Sequence, residues 1–295
     1  MTFMQDHFRQ IRTSRAVGVA GLGQPDAVVP ASFATTLAKG LAVLEAFEVG
    51  STFLGNTELS ARTGLTRSTV ARLSYTLAEL GYLRYDETRS KYRLGARSVR
   101  MTYPLLANLE FRQAARPLMH ELAASVGGTV SIGLLDEDMS VYVETARSSN
   151  VGKHVPDIGG AVPVLRGAIG RALASMLRPE EAAALDARMR SENPDLWDAY
   201  HQRYIAGRCA CADHGVCFSY GDWVATVPAV ATPLFRSRIT GDCFALNCGV
   251  PAFRARPKQL ESEIAPRLKA LAATIRHLAG EAEPVLLRPD RCDLD

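Results

Sequence analysis

The stretch TELSARTGLTRSTVARLSYTLAELGYLRYDETRSKYRLG, from Thr57 to Gly95, constrains this chain more than any other. It predicts a helix, a tight turn, a second helix with a basic start and a short charged hairpin. Asn56 or Thr57 can cap the first helix, Leu59 is its apolar contact, and Gly64 sits where a left-handed residue ends it. Thr66 is a good N-cap for the second helix, in which Val70, Leu73, Leu77 and Leu80 recur as a stripe that must face a core. Gly81 closes that helix. Its opposite face carries Arg67, Ser68, Ala71, Arg72 and Tyr75. In a helix-turn-helix the N-terminal end of the second helix enters the major groove, where Arg bonds guanine bidentately and Ser or Thr reach base edges or phosphates. The expected DNA contacts here are Thr66, Arg67, Ser68, Thr69, Arg72 and Tyr75.

Tyr82 to Tyr85 and Lys91 to Leu94 read as two strands joined by Asp86 to Ser90, which makes a wing. Arg89 and Lys91 at its tip suit a phosphate backbone or the adjacent minor groove. An upstream helix with Leu37, Leu41, Leu44 and Phe47 on one side completes a three-helix core. The charge is placed accordingly. From Ser32 to Arg100 there are ten Lys and Arg against six Asp and Glu, while the whole 295-residue chain carries only +3. Nucleic-acid affinity is therefore expected in the N-terminal third.

The length allows two domains. No run of about eighteen apolar residues exists, so no membrane-spanning helix is expected. Arg9, Arg12 and Arg15 precede a Gly-rich apolar patch too short for a secretory signal, and residues 1–31 read as a disordered extension. Without such a signal, six cysteines point to reduced thiols in a cytoplasm. The DNA-binding domain is placed at 32–95. Linker helices follow at 96–125, interrupted at Pro104 and with Pro117 inside the second. Met101, Leu105, Leu106 and Leu109 are candidate dimer contacts.

Beyond Gly127 the period changes. Strands are expected at 129–135 and 140–145 around a turn of Asp136, Glu137 and Asp138, and again at 215–219, 226–233 and 243–248. Helices are expected at 167–177, 179–190 and 257–278, the last with Leu260, Ile264, Leu268, Leu271 and Ile275 as its buried stripe. This order is that of an α+β domain with an antiparallel sheet, at 126–280, before a tail at 281–295. Gly167, Ala168, Ile169 and Gly170 open a helix whose free N–H groups suit a carboxylate, and Arg166 adds a charge beside them.

Three thiols and an imidazole crowd into nine residues at Cys209, Cys211, His214 and Cys217. They support an alternative reading as a metal-binding or redox sensor or enzyme. Their spacing is compressed for a tetrahedral site. No G-x-S-x-G, S-x-x-K, Walker A or H-E-x-x-H arrangement occurs, so neither catalytic residues nor a cofactor are expected.

The segments LAKGLAVLEAF, ELSARTGLTRSTVARLSYTLAELGYL, KYRLG and GGAVPVLRGAIGRALASML together closely resemble the IclR family of bacterial transcriptional regulators, over Ala34 to Leu278. The resemblance implies an N-terminal winged helix, a linker helix and a GAF-like effector-binding domain, acting as a homodimer or dimer of dimers on a double-stranded operator. It implies repression or activation, often of catabolic genes, in response to a small organic effector such as an aromatic or other organic acid. It also carries the effector pocket onto Gly167 and Ala168, then Ser219, Ala229, Asn247 and Gly249. Members that bind a small oxoacid present an Asp, a Cys and two Ser at those later-strand positions. The altered set here fits a larger or less polar effector.

Overall fold

The computed structural model describes residues 32–149, 157–289 and 292. The expected extension at 1–31 and part of the expected tail lie outside the described residues. The chain forms two compact units, the first ending at Asn108 and the second starting at Leu109. The span expected as a linker, 96–125, divides between them.

In the first unit α1 (Thr35–Glu45), α2 (Asn56–Thr63) and α3 (Arg67–Glu79) enclose a core that includes Val43, Phe47, Leu59 and Val70. The hairpin of β1 (Leu83–Asp86) and β2 (Lys91–Leu94) closes it with Leu83 and Tyr92. Several local expectations are met by geometry. Thr66 Oγ1 accepts from the Thr69 N–H at 3.3 Å, and Gly64 ends α2 with φ of 70°.

Others are corrected. The cap of α2 is Gly55, not Asn56 or Thr57, and its N–H donates to Glu58 Oε2 at 2.6 Å. On α1 the buried residues are Gly40, Ala42 and Val43, while Leu37 and Leu41 are 63% and 44% exposed. This face of α1 lies against α3, where a methyl on Gly40 would stand at an ordinary contact distance of 3.9 Å from Leu73 Cδ2. On α3 the buried positions are Val70 and Ser74, whereas Leu80 is 48% exposed. At 3.6 residues per turn Leu80 is rotated about 80° from Val70, twice the offset of Ser74. Helix α4 (Ala96–Asn108) runs on through Pro104 instead of stopping there, and none of its residues is buried.

The second unit is built on a six-stranded antiparallel sheet in the order β5–β4–β3–β8–β7–β6. The strands are β3 (Thr129–Asp136), β4 (Met139–Arg147), β5 (Ala161–Pro163), β6 (Cys217–Ser219), β7 (Ala229–Arg236) and β8 (Cys243–Gly249). Strands and helices come in runs of three between α5 and α9 and all strand pairings are antiparallel, so the α+β expectation holds. One face is covered by α5 (Phe111–Val126) and α9 (Ala265–Ala279), the latter preceded by a π-helical turn at Leu260–Ile264. The other carries α6 (Ala168–Ala174), backed by α8 (Pro194–His214), with α7 (Pro179–Glu192) packed on α8. Among the described residues no helix is long and apolar enough to cross a membrane.

All seven residues of α6 are buried. Two glycines allow it so near the sheet. A Cβ on Gly133 would meet Ile169 Cδ1 at 2.5 Å, and one on Gly170 would meet the Val164 backbone at 2.4 Å. The first obstacle is the end of a flexible side chain, the second is main chain. Gly170→Ala is therefore expected to lower the unfolding free energy by about 1–3 kcal/mol through overpacking. Chemical denaturation checks this, and an unchanged midpoint would mean that α6 does not pack as tightly as described.

Candidate functional site

In α3 the capping threonine also gathers hydroxyls, with Thr66 Oγ1 at 3.1 Å from Ser68 Oγ and 2.9 Å from Thr69 Oγ1. Arg67, Ser68, Arg72 and Tyr75 are exposed and Thr69 is half-buried. The opposite side is anchored by Val70 and Ser74. The helix thus offers a polar, basic N-terminal face on a fixed apolar base, the geometry that major-groove reading requires.

The wing distributes its charges unexpectedly. Arg89 pairs with Asp86 at 3.0 Å and lies over the Phe53 ring at 4.8 Å. Lys91 Nζ sits 2.7 Å from Glu58 Oε1, and this ammonium, with the Gly55 N–H, holds the Glu58 carboxyl below the usual range. The two expected tip cations are therefore already matched by carboxylates. Arg84 and Arg93 are not. They face each other directly across the hairpin, both exposed, and among the described residues neither meets a carboxylate. Like charges in that position are destabilising unless an anion joins them. Strand register is the signal that reveals this pair.

In the second unit three of the sequence-derived ligand positions form one row. Ser219 is opposite Ala229 and Ala229 is opposite Gly249. Asn247, two residues back on β8, lies opposite both Ser131 and Ala231 on the same face of the sheet. The start of α6 stands over β6: Ser219 Oγ donates to Arg166 O at 3.4 Å, and Cys217 Sγ donates to Ala168 O at 3.2 Å. The internal ladder of α6 begins with the Arg171 N–H on Gly167 O at 3.3 Å. Among the described residues no backbone acceptor outside the helix meets the N–H groups of Ala168, Ile169 and Gly170.

Arg166 itself turns elsewhere. Its Nε donates to Asp222 O at 2.8 Å, and its guanidinium lies over the rings of Tyr200 and Trp223 at 5.1 and 5.5 Å. Burial draws its pKa below the ordinary arginine value. Asp222 also pairs with Arg171 and Arg203, so the loop after β6 is tied to both α6 and α8. Tyr142 on β4 joins the site without any local sequence signal to mark it. Burial pushes its phenol up to about 12, and the neighbouring Asn247 side chain opposes that shift. Cavities of about 400 and 410 Å³ open elsewhere, the first beside Met176 and Arg236 and the second beside His214 and Glu261.

Of the cysteine cluster only Cys211 and Cys217 come together, close enough for one thiol to raise the other. Cys209 is bonded to Cys292, which corrects the expectation of six reduced thiols. Cys211 and Cys217 are buried, and the exposed His214 ends α8. Among the described residues no group of three or more His, Cys, Asp or Glu is placed to hold a metal ion. Helical spacing explains this, because Cys209 and Cys211, about 200° apart around α8, face opposite ways. Burial raises the Cys211 thiol well above its usual range, and raises Cys243 and Cys248 to about 11 and 12. In the native protein at pH 8, iodoacetamide is expected to leave Cys211, Cys217, Cys243 and Cys248 unlabelled. Rapid labelling of any of them, read by peptide mass spectrometry, would contradict this packing.

Comparison with known proteins agrees with both halves of this description. A family model described as the IclR helix-turn-helix domain matches residues 36–87, and one described as the bacterial transcriptional regulator IclR C-terminal domain matches residues 104–194. A crystal structure of an IclR family transcriptional regulator from Brucella abortus superposes with a TM-score of 0.74 at 32% identity, covering 88% of this chain and 98% of that one. The HTH-type transcriptional regulator TsaQ1/TsaQ2 of Comamonas testosteroni is 28% identical over 84% of this chain and 90% of its own length. The p-hydroxybenzoate hydroxylase transcriptional activator of Acinetobacter baylyi is 28% identical over 82% and 90%.

Proposed function

The chain belongs to the IclR family of DNA-binding transcriptional regulators, and from that premise we propose that a small organic acid, bound in its second unit, sets its affinity for an operator. The observation that carries this reading is the start of α6, where helix N–H groups that meet no backbone acceptor among the described residues stand beside β6, whose Ser219 continues across the sheet to Ala229 and Gly249. Such amides favour an anion. The side chains along this face are small, Ala229, Ala231, Ala245 and Gly249, which gives it an apolar floor of low relief. Asn247 and Tyr142 add polar groups farther along the same face. An acid with an apolar body and a second polar group suits that sequence of surfaces. The name of the Acinetobacter baylyi relative, an activator for p-hydroxybenzoate hydroxylase, supports an aromatic acid. Gly167 and Ala168 hold the carboxylate in this reading, and Arg166 acts by seating the loop at Asp222 and Trp223.

On DNA, Thr66, Arg67, Ser68, Thr69, Arg72 and Tyr75 read the major groove, and the wing presents Arg84 and Arg93, which unlike Arg89 and Lys91 meet no carboxylate among the described residues. Self-association uses α4, whose Val99, Met101, Tyr103 and Leu105 are all more than half exposed. A regulator of chromosomal genes works in the cytoplasm.

Arg72→Ala is expected to abolish the gel shift of the protein's own promoter region, and undiminished binding by that variant would remove α3 from the groove. The Arg84→Ala/Arg93→Ala pair is expected to lower the slope of log affinity against log salt by about 1.8, roughly 0.9 for each phosphate that is no longer neutralised. Its melting temperature is expected to hold or rise, since a like-charge pair is relieved. A fall in stability with an unchanged slope would make the pair structural. For the effector, 4-hydroxybenzoate at a hundredfold excess over its Kd is expected to stabilise the native state by about 2.7 kcal/mol, visible as a thermal shift. A flat response to this and other aromatic acids would argue against the class.

A further inference from the structure

Among the described residues the segment after α9 is joined to the second unit by long polar contacts, beginning with Glu281, which accepts the Arg238 N–H at 3.3 Å. Gly280 leaves the helix with φ of 66°. Glu283 lies 3.5 Å from Arg276, the Leu287 N–H donates to Ser175 O at 3.4 Å, and Arg288 Nε is 3.7 Å from Asp213 Oδ1. Leu286 packs against the core, but Val285 is 78% exposed. Between the segment and Met176, Arg178 and Arg236 a cavity of about 400 Å³ remains. Against these weak holds stands one covalent bond, from Cys292 back to Cys209, 83 residues earlier.

The two sulfurs differ in access. Cys209 is 7% exposed on α8, while Cys292 is only half-buried. The remaining cysteines are buried and do not compete for a solute. The strap also ends at a particular place. Ser175, whose carbonyl receives the Leu287 N–H, caps the C-terminal end of α6.

We propose that Cys209–Cys292 is a thiol–disulfide exchange site that releases and refastens this strap at the C-terminal end of α6. A small-molecule thiolate attacks Cys292 Sγ, the S–S bond breaks, and its electron pair leaves on Cys209, which takes up a proton. A second small-molecule thiol resolves the mixed disulfide, giving free Cys292 and one oxidised small-molecule disulfide. In the reverse direction a hydroperoxide oxidises the Cys292 thiolate to a sulfenic acid, and the Cys209 thiolate displaces hydroxide to restore the bridge. The inference goes beyond the regulator reading, and its test needs neither DNA nor effector.

The full-length protein is treated with millimolar glutathione without denaturant, alkylated, and examined by peptide mass spectrometry and hydrogen exchange. Both Cys209 and Cys292 are expected to become alkylated. The Leu287 amide is expected to exchange roughly tenfold faster or more, with β3 and β8 unchanged, as for local rather than global opening. Hydrogen peroxide is expected to restore the slow exchange, and Cys292→Ser to show the released pattern without any reductant. A bridge that yields only in denaturant, Leu287 exchange that ignores reduction, or thiols still free after peroxide would each overturn the proposal.

Discussion

A helix whose seven residues are all buried has no face turned to water, so α6 is held entirely by what it packs against. The packing is set by absent side chains: Gly133 admits Ile169, Gly170 lies on the Val164 backbone, and Gly207 on α8 admits the stem of Arg171. This closeness brings the first amides of the helix down to the end of β6, where Cys217 bonds the Ala168 carbonyl. Buried helix starts need acceptors, because an unpaired N–H away from water is unfavourable. Close packing of α6 thus leaves first-turn amides in need of acceptors, the role proposed for the effector carboxylate. It also fixes the surrounding loop, since the same helix supplies Arg171 to Asp222.

Legibility in the sequence followed locality. Thr66, Gly64 and the hairpin at Lys91 to Leu94 were readable because caps and short strands depend on a few neighbouring residues. Which face of α1 goes inward was not, because it depends on Leu73 of another helix meeting Gly40. Helix α8 gave no signal. Trp197, Tyr204, Gly207, Arg208 and Cys211 lie within about 100° of one another around the helix, but a glycine and an arginine interrupt the apolar pattern and Cys209 is buried on another side. The bridge from Cys209 to Cys292 was equally hidden, as nothing local connects residues 83 apart. The row of Ser219, Ala229 and Gly249 came from family resemblance, and only strand register joins its members physically.

Charge in the first unit divides by whether it is answered within the fold. Arg62 reaches the Ala46 carbonyl and Glu48, Lys91 reaches Glu58, and Arg89 reaches Asp86. Arg62 fastens α2 to the end of α1 and Lys91 fastens the wing to α2, while the Arg89 pair stays within the hairpin. Arg67, Arg72, Arg84 and Arg93 are exposed and make no ion pair with a described residue. Surface pairs contribute little to stability, so leaving four cations without them sacrifices little folding free energy. What they retain is a field directed outward, undiminished by internal carboxylates, and that field is what steers and anchors a protein on a phosphate backbone. Counting net charge alone, the wing and the recognition helix would look alike. Pairing separates the cations that build the domain from those left for its partner.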